Sequence, residues 1–140
     1  QGKNWFCFQV LIRLKAFRLW KGCGMNEKTV TNKIKRWFKI KGGVCYKVFG
    51  GPMNSGFPDL IGCINGRTWL VEVKAPKSKP RVNKNIRDSY NEEMKLWMEK
   101  GATLTQAKVL YNWKQAGAVA LVATCIEDLE EEYKKLVTYE

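Results

Sequence analysis

The chain has 140 residues, nearly half of them apolar and six of them Trp, so one compact domain can bury a core without disulfides or metal staples. It contains no histidine, and its five cysteines are single and scattered, which excludes zinc sites, Cys-His nucleophiles and Ser-His-Asp triads. The formal charge of +12 favours a polyanionic partner, nucleic acid first and an anionic membrane surface second. An odd number of unpaired cysteines fits a reducing compartment, and any metal must be held by oxygen, which means a hard cation such as Mg²⁺ or Mn²⁺.

Residues 1–24 carry five basic side chains, no acid and the apolar run WFCFQVLI. That run is too short to span a membrane, and no small-residue cleavage site follows it. We set this stretch apart as an N-terminal extension without an assigned function. Met25 reads as a start, and the domain as residues 25–140.

From Asn26, a good cap, Val30, Ile34, Trp37 and Phe38 form one apolar stripe, so the pattern predicts a helix ended by Gly42-Gly43. Glu27 shares the spacing of that stripe and is expected on its inward face. VCYKVFG reads as a strand and GGPMNSG as a loop. Two β-rich runs then flank Asn65-Gly66, a strong hairpin signal. Residues 77–84 read as a basic loop. Ile86, Tyr90, Met94 and Trp97 suggest an amphipathic helix that stops at Gly101. Thr103-x-x-Gln106 is a capping box opening a helix through Ala116, closed by Gly117. AVALVAT reads as a buried strand and IEDLEEEYKKLV as a last helix. The order predicts an α/β domain with a mixed central sheet flanked by helices on both faces.

Charge is distributed unevenly along this scheme. Between Lys28 and Arg87 there are fourteen Lys or Arg but only two acids, Asp59 and Glu72. A two-residue turn pairs Ile64 with Arg67, and counting outward by five places pairs Asp59 with Glu72. Their Cβ atoms are expected roughly 5 Å apart on one face, with Lys74 on the same face. Two opposed carboxylates among apolar neighbours need relief. Either one acid holds a proton, or basic side chains neutralise both, or a divalent cation bridges them.

At these residues the sequence resembles the PD-(D/E)XK nuclease superfamily. Pro58-Asp59 matches the PD element, and Glu72-Val73-Lys74 matches (D/E)XK. More narrowly it is similar to the VRR-NUC family, the virus-type replication-repair nucleases. The matching elements are Glu27 on a helix, GFPDLI, VEVKAP and TLTQ, over roughly residues 25–129. The resemblance implies a restriction-endonuclease-like core and a metal-dependent nuclease that hydrolyses DNA phosphodiester bonds. Asp59 and Glu72 would ligate Mg²⁺ or Mn²⁺, with the Val73 carbonyl as a further ligand and Glu27 direct or through water. Lys74 would orient or help deprotonate the attacking water, and Gln106 would line the site.

Each role has a plainer rival. Glu27 can serve only its helix N-terminus, and Gln106 only its capping box. Lys74 can be a plain surface lysine, and the acids a structural pair. In compact family members the Gln helix follows the E-V-K strand after a short basic loop, whereas here about thirty residues separate Lys74 from Gln106. Lys77, Lys79, Arg81, Lys84 and Arg87 in that segment are the candidate phosphate contacts. The resemblance further implies structure-selective action on branched DNA or Holliday junctions, a homodimer, a phage or prophage origin, and a bacterial cytoplasmic setting. A replication or repair helicase is a candidate partner, and no membrane is involved. The alternative is a non-catalytic nucleic-acid-binding module.

Overall fold

The computed structural model describes residues 26–49, 55–76 and 91–138. The N-terminal extension, most of the GGPMNSG loop, Ile86, Tyr90 and the five candidate phosphate contacts Lys77, Lys79, Arg81, Lys84 and Arg87 lie outside them.

Helix α1 (Glu27–Ile40) starts where Asn26 accepts the Thr29 N–H on its side chain, at 2.9 Å. It buries the expected stripe of Val30, Ile34, Trp37 and Phe38 and stops at Gly42, whose φ of +78° is open to glycine and strained for other residues. Strands β1 (Val44–Lys47), β2 (Leu60–Ile64) and β3 (Arg67–Val73) follow. Helices α2 (Glu92–Glu99) and α3 (Leu104–Gln115) then lead to β4 (Val119–Ala123) and α4 (Ile126–Thr138). The strand order is β1-β2-β3-β4, with the first three antiparallel and β4 parallel to β3. This is a mixed α/β architecture.

The sheet has a core on each face, because β3 and β4 are covered on both sides and therefore read as near-continuous apolar runs. On one face α1 and α4 pack on Leu60, Ile64, Trp69, Val71, Val73, Val119 and Leu121. Trp69 is fully buried there, with the rings of Trp37 and Phe38 at 5.6 and 5.7 Å. On the other face α2 and α3 pack on Leu70, Ala120 and Val122 through Met94, Trp97, Met98, Ala107 and Leu110. Gly62 permits close approach: a Cβ there would meet the Phe38 ring at 2.6 Å and the Val44 carbonyl oxygen at 2.9 Å.

The Asn65-Gly66 turn has φ values of +52° and +77°, as a two-residue hairpin with the right-handed strand twist requires. It sets Ile64 opposite Arg67 and Leu60 opposite Val71, the register expected from the sequence. Helix α2 begins only after Asn91, whose side chain caps the Met94 N–H at 2.8 Å. Among the described residues, no helix is long and apolar enough to cross a membrane.

Candidate active site

The candidate residues gather at one end of the sheet, where β2 begins and the parallel strands β3 and β4 end. Glu72 is the next-to-last residue of β3. Strand alternation sends Leu70 and Glu72 to the α3 face and Trp69, Val71 and Val73 to the α1 face. Glu72 is only 2% exposed, the one buried charged residue among those described.

Its carboxylate is half satisfied. Oε1 accepts from Gln106 Nε2 at 2.8 Å and faces Lys74 Nζ at 3.4 Å. Oε2 is buried and has no hydrogen-bond partner among the described residues. Burial pushes the Glu72 carboxyl up to about 7, the Asp59 charge pushes the same way, and Lys74 pulls against both. An orphaned oxygen on a buried carboxylate costs free energy unless a proton or a cation takes it up.

Asp59 is brought to this carboxylate from just outside the ladder. The β2–β3 ladder ends at Leu60 and Val71, so Asp59 stands one residue beyond it, in a bend. Its carbonyl accepts the Val48 N–H at 2.8 Å. The same register continued one step sets Asp59 opposite Glu72, whose carboxylate it influences, and its Oδ2 accepts the Val73 N–H at 2.9 Å. That amide lies past the last ladder pair and needs an acceptor, which the short Asp side chain supplies. Upstream, Gly56 with φ of +81° lets the chain press on α3, where a Cβ would meet Thr105 Cγ2 at 2.5 Å. Pro58, fully buried, fixes φ just before the acid.

Gln106 fills both roles that its sequence position suggested. Its Oε1 accepts the Thr103 N–H at 2.9 Å, and its own N–H donates to Thr103 Oγ1 at 3.2 Å, closing the capping box. Its Nε2 remains free to reach Glu72. Lys74 is likewise drawn into the site and not out to solvent, its side chain only 15% exposed.

One expectation is corrected. Glu27 does not point inward: it is exposed in the first turn of α1. It lines a cleft of about 460 Å³ together with Asp59 and Val73. Among the described residues no three acidic or thiol side chains gather closely enough to hold a metal. Trp113, also on α3, is 37% exposed and stands edge-on to Phe57 at 5.9 Å.

The sequence reading missed what shares the cleft with Glu27 and Asp59. Lys28, Thr31, Asn32 and Lys35 of α1 and Lys47 of β1 form the rest of its wall. The signal was present, because the α1 residues recur at helical spacing opposite the apolar stripe.

The donor set suits a hard cation. Asp59 and Glu72 lie close enough to interact, Glu72 holds a buried unpartnered oxygen, and the donor atoms available are all oxygen. Compared with known proteins, the chain matches no family model and no curated sequence.

Proposed function

We propose that this chain is a divalent-metal-dependent nuclease that hydrolyses DNA phosphodiester bonds, built on the PD-(D/E)XK core that its motifs resemble. The observation that carries the reading is the buried Glu72 carboxylate, with one oxygen unpartnered, beside Asp59 and within 3.4 Å of Lys74. Sequence motif and spatial arrangement meet at the same three residues.

In this reading Asp59 and Glu72 would hold Mg²⁺ or Mn²⁺. The cation, when bound, supplies Lewis-acid chemistry, lowering the pKa of water and offsetting charge on the phosphate. The remaining roles belong to the chain. The Val73 N–H holds Asp59 in place, and the Gln106 amide holds Glu72. The Lys74 ammonium donates hydrogen bonds into the site, where it can orient a water or steady negative charge on a phosphate oxygen. Action on branched DNA, a homodimeric state and a helicase partner rest on the family resemblance alone.

One observation favours a second reading. With its carboxyl at about 7, Glu72 can share a proton with Asp59 and need no metal. The chain would then be a non-catalytic nucleic-acid-binding module. Cleavage of linear, flapped and four-way-junction DNA separates the two. The nuclease cuts with Mg²⁺ or Mn²⁺ and poorly with Ca²⁺, and Asp59→Ala and Lys74→Ala bind DNA without cutting it. Cutting by Asp59→Ala at the wild-type rate would sink the mechanism. No cutting of any substrate would favour the binding module.

A further inference from the structure

We infer that the cleft between α1 and β1 is a phosphate track leading to the carboxylate site, in which Lys28, Lys35 and Lys47 contact the backbone of the bound strand. This deepens the nuclease reading and rests on it.

The cleft of about 460 Å³ is walled by Glu27, Lys28, Thr31, Asn32 and Lys35 on α1, Lys47 on β1, and Asp59 and Val73 at the site. It is therefore continuous with the residues proposed to hold the metal. Lys28, Thr31, Asn32 and Lys35 lie seven residues apart from first to last, on one face of α1 over two turns. Two turns span about 10 Å, so the cations are spaced along the cleft and not heaped at one point.

None of the three lysines forms an ion pair with a described residue. Five lysines elsewhere are paired, Lys41 with Glu130, Lys95 with Glu92, Lys100 with Asp128, Lys114 with Glu93 and Lys135 with Glu132, while Lys39, Lys108 and Lys134 form no ion pair with a described residue but are not gathered in one cleft. The five described acids of residues 126–138 supply three of those partners, and none lines the cleft. Three ammonium groups against the two carboxylates of Glu27 and Asp59 leave this concave surface net positive, which suits a linear polyanion. Thr31 and Asn32 add neutral donors of the kind that position a phosphate without reading a base. The cleft is net positive without a cation, and one bound at Asp59 would only add to its attraction for phosphate.

The test is DNA binding in metal-free buffer, so that it does not depend on cleavage. The Lys28→Ala/Lys35→Ala/Lys47→Ala protein is compared with Lys95→Ala/Lys134→Ala/Lys135→Ala, which removes the same charge from α2 and α4. Affinity for a labelled oligonucleotide is measured over a series of salt concentrations. Every lysine–phosphate interaction removed should lower the slope of log affinity against log salt by about 0.9 on duplex DNA. The cleft variant is expected to show a slope smaller by about 2 to 3, and the control by less than about 1. Equal reductions in the two variants would show only a diffuse field and overturn the assignment. So would wild-type binding by the cleft variant, or no DNA binding by the wild type. Lys28 and Lys47 are exposed and Lys35 is half-buried, and melting temperature within a few degrees of wild type confirms folding. Weakened binding by the cleft variant alongside a wild type that never cuts would reject the nuclease and leave the track standing.

Discussion

Gln106 and Glu72 are joined by a 2.8 Å hydrogen bond that couples the start of a helix to a buried acid. The glutamine amide is used at both ends, Oε1 on the Thr103 N–H and Nε2 on the carboxylate. Replacing it therefore acts on two links at once. Gln106→Ala opens the capping box and leaves Glu72 Oε1 with Lys74 alone. We expect a stability loss of about 2 kcal/mol, the sum of a lost cap and a weakened buried carboxylate. Gln106→Glu keeps an acceptor for Thr103 but sets a third acid beside Glu72. Its loss should be larger at pH 8 than at pH 5, measured by thermal or urea unfolding. An Ala variant as stable as wild type would mean that the bond is not formed in solution.

Glu72 gives folding stability a defined pH dependence. Its folded carboxyl titrates near 7, above the ordinary value of 4.5, so between these values the folded state holds the proton more tightly than the unfolded chain. Its stabilising contribution is complete below pH 4.5 and is lost as the pH rises through 7. At ~1.4 kcal/mol per pH unit of displacement, the loss is about 3 kcal/mol in the metal-free protein. Glu72→Gln, isosteric and uncharged, should flatten this part of the stability profile. A variant profile parallel to wild type between pH 4.5 and 7.5 would assign the slope to other groups.

The same charge predicts how metal and pH interact. A cation competes with the proton for Glu72, so Mg²⁺ or Mn²⁺ should raise the melting temperature more at pH 8 than at pH 5.5. The expected rise is several degrees at millimolar cation and is absent in Asp59→Ala and Glu72→Gln. Calorimetric titration with Mn²⁺ measures the affinity directly. An equal thermal shift in wild type and both variants would place the cation somewhere else.

Much of this arrangement was legible in the sequence because short-range rules decide it. The Asn65-Gly66 turn fixed the hairpin register, and Thr103-x-x-Gln106 fixed the start of α3. Period-3.6 stripes marked the buried face of α1, and two apolar runs marked β3 and β4. What periodicity could not reach lies at the ends of elements. Asp59 stands one residue past the ladder, where a free amide on Val73 takes up its side chain. Glu27 has the spacing of the core stripe, but it stands at the very start of α1 and is exposed. The lysine-lined cleft is assembled from α1 and β1, and only the fold brings Lys47 to Lys28 and Lys35.

Gly56 offers a test of how the loop before Asp59 supports the site. Its φ of +81° disfavours any side chain, and a Cβ would meet Thr105 Cγ2 at 2.5 Å and the Thr105 backbone at 3.3 Å. Gly56→Ala should therefore lift the Phe57-Pro58-Asp59 segment away from α3, the helix that carries Gln106. Stability should fall by about 1–3 kcal/mol. Cleavage should fall by at least about tenfold, since displacements near 1 Å at a catalytic centre carry large rate costs. DNA binding in metal-free buffer should change little. Loss of stability with full cleavage in the surviving folded fraction would show that the loop is not what positions Asp59.

Gly66 separates turn conformation from packing. Its φ is +77° and nothing lies within 4 Å of the position a Cβ would occupy, so Gly66→Ala meets no clash. The whole penalty is the left-handed backbone, about 1 kcal/mol. Gly62→Ala, on β2 in the same hairpin, keeps an ordinary backbone but drives its Cβ into the Phe38 ring and the Val44 carbonyl. Its cost should reach about 2–3 kcal/mol, because a strand carbonyl cannot move aside as a flexible side chain can. The order of the two losses, measured by urea unfolding, is the prediction. Gly66→Ala is expected to retain cleavage, since the turn lies at the far end of β3 from Glu72. Equal losses, or a larger one at Gly66, would mean that Phe38 does not lie against β2 as closely as described.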